Sequence, residues 1–341
     1  MPVTMRDIAT DLNVSVVTVS KVLRNQGKIS TATRKRVLAH ARKLNYQMNW
    51  VARSLVTRRT FTVGLLLPEF THPFFAEIAK VVAQKVRPHG YHVIISYSEE
   101  DPELEISEAE SLLARQVDGL IVASVRSTQG HGIFERVRDR KTPFVLIDRP
   151  IEGVQASFVG VDDYALGKLA TEHLIQQGYT RIAHLRGPRI GIAESRVEGY
   201  RGALRKFRLH VPSHYVVFGG HSRESGHSGM LDLLQLNPVP DAVFCYNDLV
   251  AIGAIKAIIE SNLRVPQDIG VVGAGNVSYS DVLAVPLTSI DQGTAAIGER
   301  ASELLLERMS SKSSLRPKKV LVPPRLVWRE SSRRTCIPKN G

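Results

Sequence analysis

Cysteine is scarce in this sequence, whose 341 residues include only Cys245 and Cys336. The two lie far apart without paired spacing, which supports neither a disulfide framework nor a cysteine-based zinc site. Cys245 follows an apolar run at 242–244, so we expect its side chain to be buried as a small hydrophobic group. The histidines show no metal-ligand spacing either, and we predict no metal site and no cofactor.

Long hydrophobic runs are also absent. The N-terminus has no apolar stretch of signal-peptide length, and no later segment approaches the roughly 20 apolar residues that span a bilayer. We therefore expect no membrane partner and a cytoplasmic, reducing compartment. Hydrophobic residues still make up 43% of the chain, which is ordinary for a folded protein of two or three domains.

Complete motifs of common enzyme classes are missing. The sequence has no P-loop, no G-x-S-x-G elbow and no H-E-x-x-H pair. The run GAGNVS at 273–278 follows a predicted strand, as a dinucleotide-binding turn would. Its third glycine position is Ser278, however, and no acidic partner follows. We predict that the chain is not an enzyme.

Acidic residues are nearly absent from residues 1–60, here called the head, which hold 12 Lys and Arg against only Asp7 and Asp11. The head therefore carries +10 of the formal charge of +12. Such a block predicts a polyanionic partner, because each neutralised phosphate releases condensed counterions. The alternative is a basic face that serves only solubility.

Three short helices are predicted in the head. Thr4 and Ser15 are expected to cap the first and second helices, with Asn13 in a left-handed turn between them. A third helix over about 31–43 completes a three-helix core. The residues expected to face this core are Ile8, Ala9, Leu12, Val14, Val19, Val22, Leu23, Val37, Leu38, Ala41 and Leu44.

The second predicted helix leaves Val16 and Val17 outside the core, beside Thr18 and Lys21. Solubility does not explain two adjacent exposed valines. Entry of this helix start into the major groove of DNA does, because apolar side chains contact thymine methyl groups there and Lys21 reaches guanine acceptors or phosphate. The alternative is a hydrophobic edge that packs on the rest of the chain.

From residue 61 onward, short β-rich runs alternate with longer helical patterns. The alternation predicts an α/β body of parallel sheets with helices on both faces, and nearly a dozen strands favour two sheets over one. The clearest strands are at 62–67, 91–96, 119–123, 144–147, 181–185, 242–245 and 269–272, with helices such as 165–177 and 249–261 between them.

Ligands of open α/β sheets bind at the carboxyl ends of the strands. The segments just past the predicted strands hold aromatic, carboxylate, guanidinium and amide groups, which suit a small polyhydroxylated or heterocyclic ligand. Some of these side chains have structural alternatives, with Asp248 and one of Asp162 and Asp163 as helix caps and Phe74 or Phe75 in the core. The segments are 70–75, 148–149, 187–199, 246–248 and 273–276.

Several runs resemble the lac repressor family, the LacI/GalR transcriptional regulators. They are TMRDIATDLNVSVVTVSKVLR from 4, YQMNWVARSL from 46, VGLLLP from 63, VDDYALG from 161, HLIQQGY from 173, AVFCYND from 242, PLTSIDQ from 286 and RLVWRE from 325. The resemblance implies an all-α helix-turn-helix head and a two-lobed body like the periplasmic sugar-binding proteins. The expected domains are a DNA-binding domain at 1–48, a hinge at 49–60 and a body at 61–341, with a first lobe at about 61–158 and 288–318 and a second lobe at about 159–287 and 319–332.

The resemblance also implies which residues contact DNA. In the second helix, Val16, Val17 and Lys21 would read bases, whereas Thr18, Ser20 and Arg24 would touch the backbone, with Thr4 and Ser15 at the two helix starts. In the hinge, a helix would form on DNA and Leu55 would wedge between base steps of the minor groove. The hinge residues implied are Asn49, Val51, Ala52 and Leu55, for which an ordinary linker is the alternative.

The effector pocket implied by the family pattern contains Phe74, Asp148, Arg196, Asn247, Gly275 and Gln292. The sequence departs from that pattern at 274–276, where many sugar-responsive members carry an aromatic residue and two aspartates and this chain has Ala-Gly-Asn. The departure weakens the prediction that the ligand is a sugar. It does not weaken the prediction that the chain is a regulator. After Trp328 the tail has no leucine heptads for a tetramerising helix, so a homodimer is expected.

These inferences predict a transcriptional regulator, and by family pattern a repressor. Its dimer would bind a palindromic DNA operator, and a small effector, a sugar or a related metabolite, would change operator affinity by altering the angle between the lobes. The alternatives are an enzyme and a free-standing ligand-binding protein. The missing motifs argue against an enzyme, and the basic head argues against a free-standing ligand-binding protein.

Overall fold

The structure, a computed structural model, describes residues 3–24, 27–47, 54, 57–125, 132–210, 212–311, 313 and 315–334. It divides into two compact units, Met1–Thr60 and Phe61–Gly341. The first unit is the head, and the second is called the body. None of the helices in the described part of the chain has the length and apolar character that crossing a membrane requires.

The head contains the three predicted helices, α1 (Met5–Asp11), α2 (Val16–Leu23) and α3 (Thr31–Lys43). The Thr4 hydroxyl accepts the Asp7 N–H at 3.4 Å, and the Asp7 carboxylate accepts the Thr4 N–H at 2.7 Å. Ser15 caps α2 by accepting the Thr18 N–H at 3.0 Å. Asn13 has a φ of 50°. The predicted caps and the left-handed turn are confirmed.

A small apolar core joins the three helices. Ile8, Val19 and Val37, one from each helix, are fully buried. Polar contacts tie α3 to α1 around this core, since the Asp11 carboxylate lies 2.7 Å from His40 Nε2 and the Arg36 guanidinium donates to the Leu12 carbonyl at 3.3 Å. Both carboxylates of the head therefore have partners within it, and its cations dominate the surface.

The body contains twelve described strands. They are β1 (Thr62–Leu67), β2 (His92–Tyr97), β3 (Gly119–Val122), β4 (Phe144–Ile147), β5 (Ser157–Val161), β6 (Ile182–Arg186), β7 (Val216–Phe218), β8 (Ala242–Cys245), β9 (Gly270–Ala274), β10 (Thr288–Asp291), β11 (Lys319–Val322) and β12 (Arg325–Val327). They form two six-stranded sheets, in the orders β11-β5-β4-β3-β1-β2 and β12-β10-β9-β8-β6-β7. All neighbours are parallel except the edge pair β10 and β12.

Helices cover both faces of the sheets. They are α4 (Pro73–Val86), α5 (Pro102–Ala114), α6 (Gly132–Asp139), α7 (Asp163–Gln176), α8 (Gly191–Lys206), α9 (Arg223–Leu234), α10 (Asp248–Glu260) and α11 (Thr294–Ser310). In β1, Leu65 belongs to the core cluster that contains α4 and α11, whereas Leu66 belongs to the cluster that contains α5 and α6. Every residue of β3, β5, β8 and β9 is buried, as expected for parallel strands covered on both faces. The predicted α/β fold class is confirmed, and Cys245 is buried as predicted.

Each sheet with its helices forms one lobe, and the strands correct the predicted lobe boundaries. β5 lies wholly in the first sheet, so the chain first passes from the first lobe to the second after Val161. β10, predicted in the first lobe, pairs with β9 and β12 in the second. β11, predicted in the second lobe, pairs with β5 in the first. The interpretation failed because these strands are only three to five residues long and their sequences do not state which sheet they join.

Helices α7 and α8 pack backbone against backbone at two glycines. A Cβ on Gly167 would lie 2.2 Å from the Arg196 carbonyl oxygen, and one on Gly199 would lie 2.1 Å from the Tyr164 carbonyl oxygen. Protein interiors are close-packed, so neither position accepts a side chain without a shift of one helix. The contact fixes Arg196, which lies on α8, relative to α7.

Replacement of Gly199 by alanine is expected to lower the free energy of unfolding by about 1–3 kcal/mol, because the added methyl forces α7 and α8 apart. Urea unfolding followed by circular dichroism measures the loss. Gly191→Ala is the matched control in α8, since a Cβ there meets nothing within 4 Å. Equal losses in the two variants would contradict the close contact.

Candidate functional site

The start of α2 presents an apolar and cationic surface. Val16 and Val17 are 40% and 62% exposed, and Lys21, one turn further along the helix, is exposed as well. The Ser15 hydroxyl lies 2.9 Å from the Thr18 hydroxyl, which orders the side chains at the helix start. Exposed methyl groups at the helix start provide contacts for thymine methyls, and the lysine one turn further along provides one for guanine acceptors or phosphates.

The other predicted DNA contacts fall in different places. Thr4 lies at the N-cap of α1, where its hydroxyl donates to Asp7 at 2.8 Å, while Ser20 and Arg24 are half-buried along and just beyond α2. The hinge residues Asn49, Val51, Ala52 and Leu55 lie outside the described residues. Their roles stay predictions.

A cavity of ≈ 60 Å³ lies where the carboxyl ends of both sheets face each other. Five of the six predicted effector residues line it: Phe74, Asp148, Arg196, Asn247 and Gln292. Gly275 does not. It lines a neighbouring groove with Asn276 and Val277, which Phe74 also borders.

Arg196 in the cavity wall forms hydrogen bonds through all three nitrogens of its guanidinium group. Its Nε donates to Asp163 Oδ1 at 2.8 Å, one terminal nitrogen donates to the Tyr246 carbonyl at 2.6 Å and the other to Gln292 Oε1 at 3.0 Å. The guanidinium also lies 4.7 Å from the centroid of the Tyr246 ring. Because Arg196 is only 2% exposed, these partners replace the water that a cation would otherwise need.

Asp148 and Arg149 form the opposite side of the cavity. Arg149 makes a two-pronged ion pair with Glu100, at 2.8 and 2.6 Å. Its Nε is buried without a hydrogen-bond partner among the described residues, 3.6 Å from the Asp148 carboxylate. No described group donates a hydrogen bond to that carboxylate, which is 7% exposed as a residue. The cavity wall therefore holds one acceptor, the Asp148 carboxylate, to which no described donor is hydrogen-bonded.

A polar contact between described residues joins the two lobes at the cavity. Asn247, after β8, has its Nδ2 3.3 Å from Nε2 of His72, after β1. The same amide donates to the His221 carbonyl at 3.0 Å, and its oxygen accepts the Val250 N–H at 2.8 Å. Asn247 thus caps α10 and touches the facing lobe, which makes it sensitive to the angle between the lobes.

Burial controls the charges around the cavity. It raises the pKa of Asp163 to about 6, a shift that Arg196 opposes, and it lowers the pKa of His72 to about 4. It also raises the pKa of Asp148, against the effect of Arg149 and Arg196. At neutral pH His72 is uncharged, so the two arginines are matched by the carboxylates of the wall and the cavity has no excess of positive charge.

Asp163 and Asp248 have roles that the sequence did not reveal. Asp162 caps α7, by accepting the Ala165 N–H at 2.9 Å, and this leaves Asp163 free to hold Arg196. Asp248, predicted as a possible cap, accepts hydrogen bonds from Val277 N–H at 2.8 Å and from the Ser289 hydroxyl at 2.6 Å. It therefore holds the loop after β9. The only sequence signal was the position of both residues beside strand ends.

Comparison with known proteins decides the family. Residues 4–49 match the bacterial regulatory proteins of the lacI family, and residues 60–334 match the periplasmic binding proteins and sugar binding domain of the LacI family. The chain belongs to the LacI family. It is therefore a DNA-binding transcriptional regulator with an effector-binding body, as the resemblance implied.

Relatives of this LacI-family chain match it along nearly its whole length. It is 33% identical to the ribose operon repressor of Escherichia coli (strain K12), over 96% of this chain and 99% of the relative, and 33% identical to the repressor PurR of Mannheimia succiniciproducens, over 96% and 98%. The lac repressor dimer bound to operator and the anti-inducer ONPF superposes with a TM-score of 0.83 at 27% identity, covering 97% of this chain and 99% of that chain. These relatives are transcriptional repressors and not enzymes.

Replacement of Asp248 by alanine is expected to lower the free energy of unfolding by about 1–3 kcal/mol, because buried donors in the loop after β9 and on β10 lose their acceptor. Chemical unfolding of the full-length chain measures this loss. Asp232→Ala removes an exposed carboxylate from α9 and should change stability by no more than about 0.5 kcal/mol. A loss for Asp248→Ala as small as that of the control would show that the loop does not depend on this carboxylate.

Proposed function

We propose that this LacI-family regulator is a cytoplasmic repressor that binds a palindromic operator as a homodimer, responds to a small neutral polyhydroxylated effector and catalyses no reaction. The observation that carries the effector proposal is the cavity with an open acceptor at Asp148. The lac repressor, which has the same fold, binds operator as a dimer. That likeness supports the dimer proposed for this chain.

In the head, Val16, Val17 and Lys21 are proposed to read base edges in the major groove. Their exposure at the start of α2 supports this role, since the remaining valines of the helix, Val19 and Val22, are buried in the core. Thr4, Ser15, Thr18, Ser20 and Arg24 are proposed to contact the sugar-phosphate backbone, and Asn49, Val51, Ala52 and Leu55 to form the minor-groove hinge. Backbone contacts set position, whereas base contacts set sequence preference.

Selection of bound duplexes from a random library with the full-length protein tests the head directly. The expected result is a two-fold symmetric sequence with a deformable central step. Val17→Ala should then weaken binding to the selected operator by about 1–3 kcal/mol and relax the preference at one base pair of each half-site.

A pair of lysine variants separates base reading from general charge. Lys21→Gln and Lys35→Gln each remove one cation from the head, and Lys35 lies exposed on α3. Both variants should reduce the salt dependence of binding, but only Lys21→Gln should alter the selected sequence. Identical sequence preferences in all variants would show that Val17 and Lys21 do not read bases.

The chemistry of the cavity selects among effectors. A neutral ligand with neighbouring hydroxyl groups would donate to Asp148, while the rings of Phe74 and Tyr246 cover its apolar face. A phosphorylated or carboxylated ligand would meet the Asp148 carboxylate without any unmatched cation to offset it. The ribose operon repressor among the relatives, and a related regulator solved with bound ribose, agree with a polyhydroxylated ligand.

The effector proposal is tested by calorimetric titration with neutral pentoses and hexoses and with their phosphates. One of the neutral sugars should bind, and its phosphate should not. Asp148→Asn should weaken binding by about 1.5–3 kcal/mol, because the charged acceptor is lost. Glu152→Gln, an exposed residue near Asp148 in the chain, is the matched control and should leave affinity unchanged.

Allosteric control adds a second readout to this titration. Operator DNA should change effector affinity by the same factor by which effector changes operator affinity, typically about 5–150-fold. Equal effector affinity with and without operator would contradict allosteric control, and tighter binding of sugar phosphates than of neutral sugars would contradict the assigned ligand class.

A further inference from the structure

The first lobe contains a second cavity that the proposed function does not use. It has a volume of ≈ 580 Å³ and is lined by the segments that precede β4, β5 and β11, by α6 and by the last turn of α11. Phe144 begins β4 at this cavity, whereas Asp148 follows the same strand at the effector cavity. The two cavities therefore lie at opposite edges of the first sheet.

The wall of this second cavity is aromatic. Phe134 of α6 and Phe144 of β4 stack with their ring centroids 5.6 Å apart and their planes 29° apart. Phe134 is 5% exposed and belongs to the core, so the pair is held rigidly. Pro143 extends the apolar surface beside it. A flat ring is the shape that such a surface covers best.

The rim of the second cavity is cationic. Arg138, Lys141 and Arg308 line it, against a single carboxylate, that of Glu135. Arg138 and Lys141 are exposed and make no ion pair within the described part of the chain. Arg308 is oriented by a hydrogen bond of 3.2 Å to the hydroxyl of Ser157, which is 1% exposed. Three cations against one carboxylate favour an anion.

Helix ends alone do not account for this arrangement. Arg138 and Arg308 lie in the last turns of α6 and α11, where cations stabilise the helix carbonyls. Lys141 lies beyond α6, however, and a helix end requires no stacked phenylalanine pair beside it. An aromatic wall that packs against a ring and a cationic rim that pairs with a negative charge together suit an aromatic anion.

We propose that this cavity is a second ligand site, separate from the effector cavity, for a small aromatic anion such as an aryl carboxylate, sulfonate or phosphate. The ring packs against the Phe134 and Phe144 pair, and the charged group lies among Arg138, Lys141 and Arg308. The site is independent of the proposed effector, whose cavity has no excess of positive charge.

Two probes with the same ring system test the proposal on the full-length protein. One is 8-anilinonaphthalene-1-sulfonate, and the other is N-phenyl-1-naphthylamine, which lacks the sulfonate. Fluorescence titration should show tighter binding of the sulfonate. The double variant Arg138→Gln, Lys141→Gln should weaken sulfonate binding by about 3- to 10-fold, as expected for two exposed ion pairs, and leave the neutral probe unchanged.

The matched control is Arg223→Gln, Lys256→Gln, which removes two exposed cations from the second lobe and should change neither affinity. Phe144→Leu should weaken both probes. Equal binding of the two probes, or equal losses in the two double variants, would overturn the proposal. Sugar binding measured on the same variants distinguishes the two sites, because loss of the second site should leave the effector affinity unchanged.

Discussion

The second lobe depends on the burial of one guanidinium. Arg196 is shielded from water and makes its hydrogen bonds to Asp163 at the start of α7, to the end of β8 and to Gln292 after β10. An interior cation is tolerated only when such partners surround it. Three segments that are distant in sequence are therefore held at one point, and any ligand that displaces Arg196 displaces all three together.

Local chemistry made much of the fold predictable from the sequence. Caps and left-handed turns depend on a few adjacent residues, so the start of α2 at Ser15 and the turn at Asn13 followed from residue type. Buried parallel strands are continuous apolar runs, and β1, β4 and β8 accordingly have the predicted bounds. Five of the predicted effector residues follow strand ends or lie on adjoining helices, and they line one cavity because parallel strands end at one edge.

What failed depended on contacts between distant segments. The sheet to which β10 or β11 belongs is set by its neighbours, and nothing in the four residues of either strand states it. Asp162 and Asp163 are adjacent and chemically identical, yet one caps a helix and the other holds Arg196, because only the second faces α8. Gly275, predicted in the pocket by family pattern, lies in the loop that Asp248 holds and lines the neighbouring groove.

The order of the last strands also bears on how the protein forms during synthesis. The first sheet is completed by β11 (Lys319–Val322) and the second by β12 (Arg325–Val327), so neither lobe has all its strands until nearly the whole body has left the ribosome. The three helices of the head end at Lys43, well before either of these strands is synthesised, and N-terminal domains generally fold first. A nascent chain thus acquires its DNA-binding head well before the domain that regulates it.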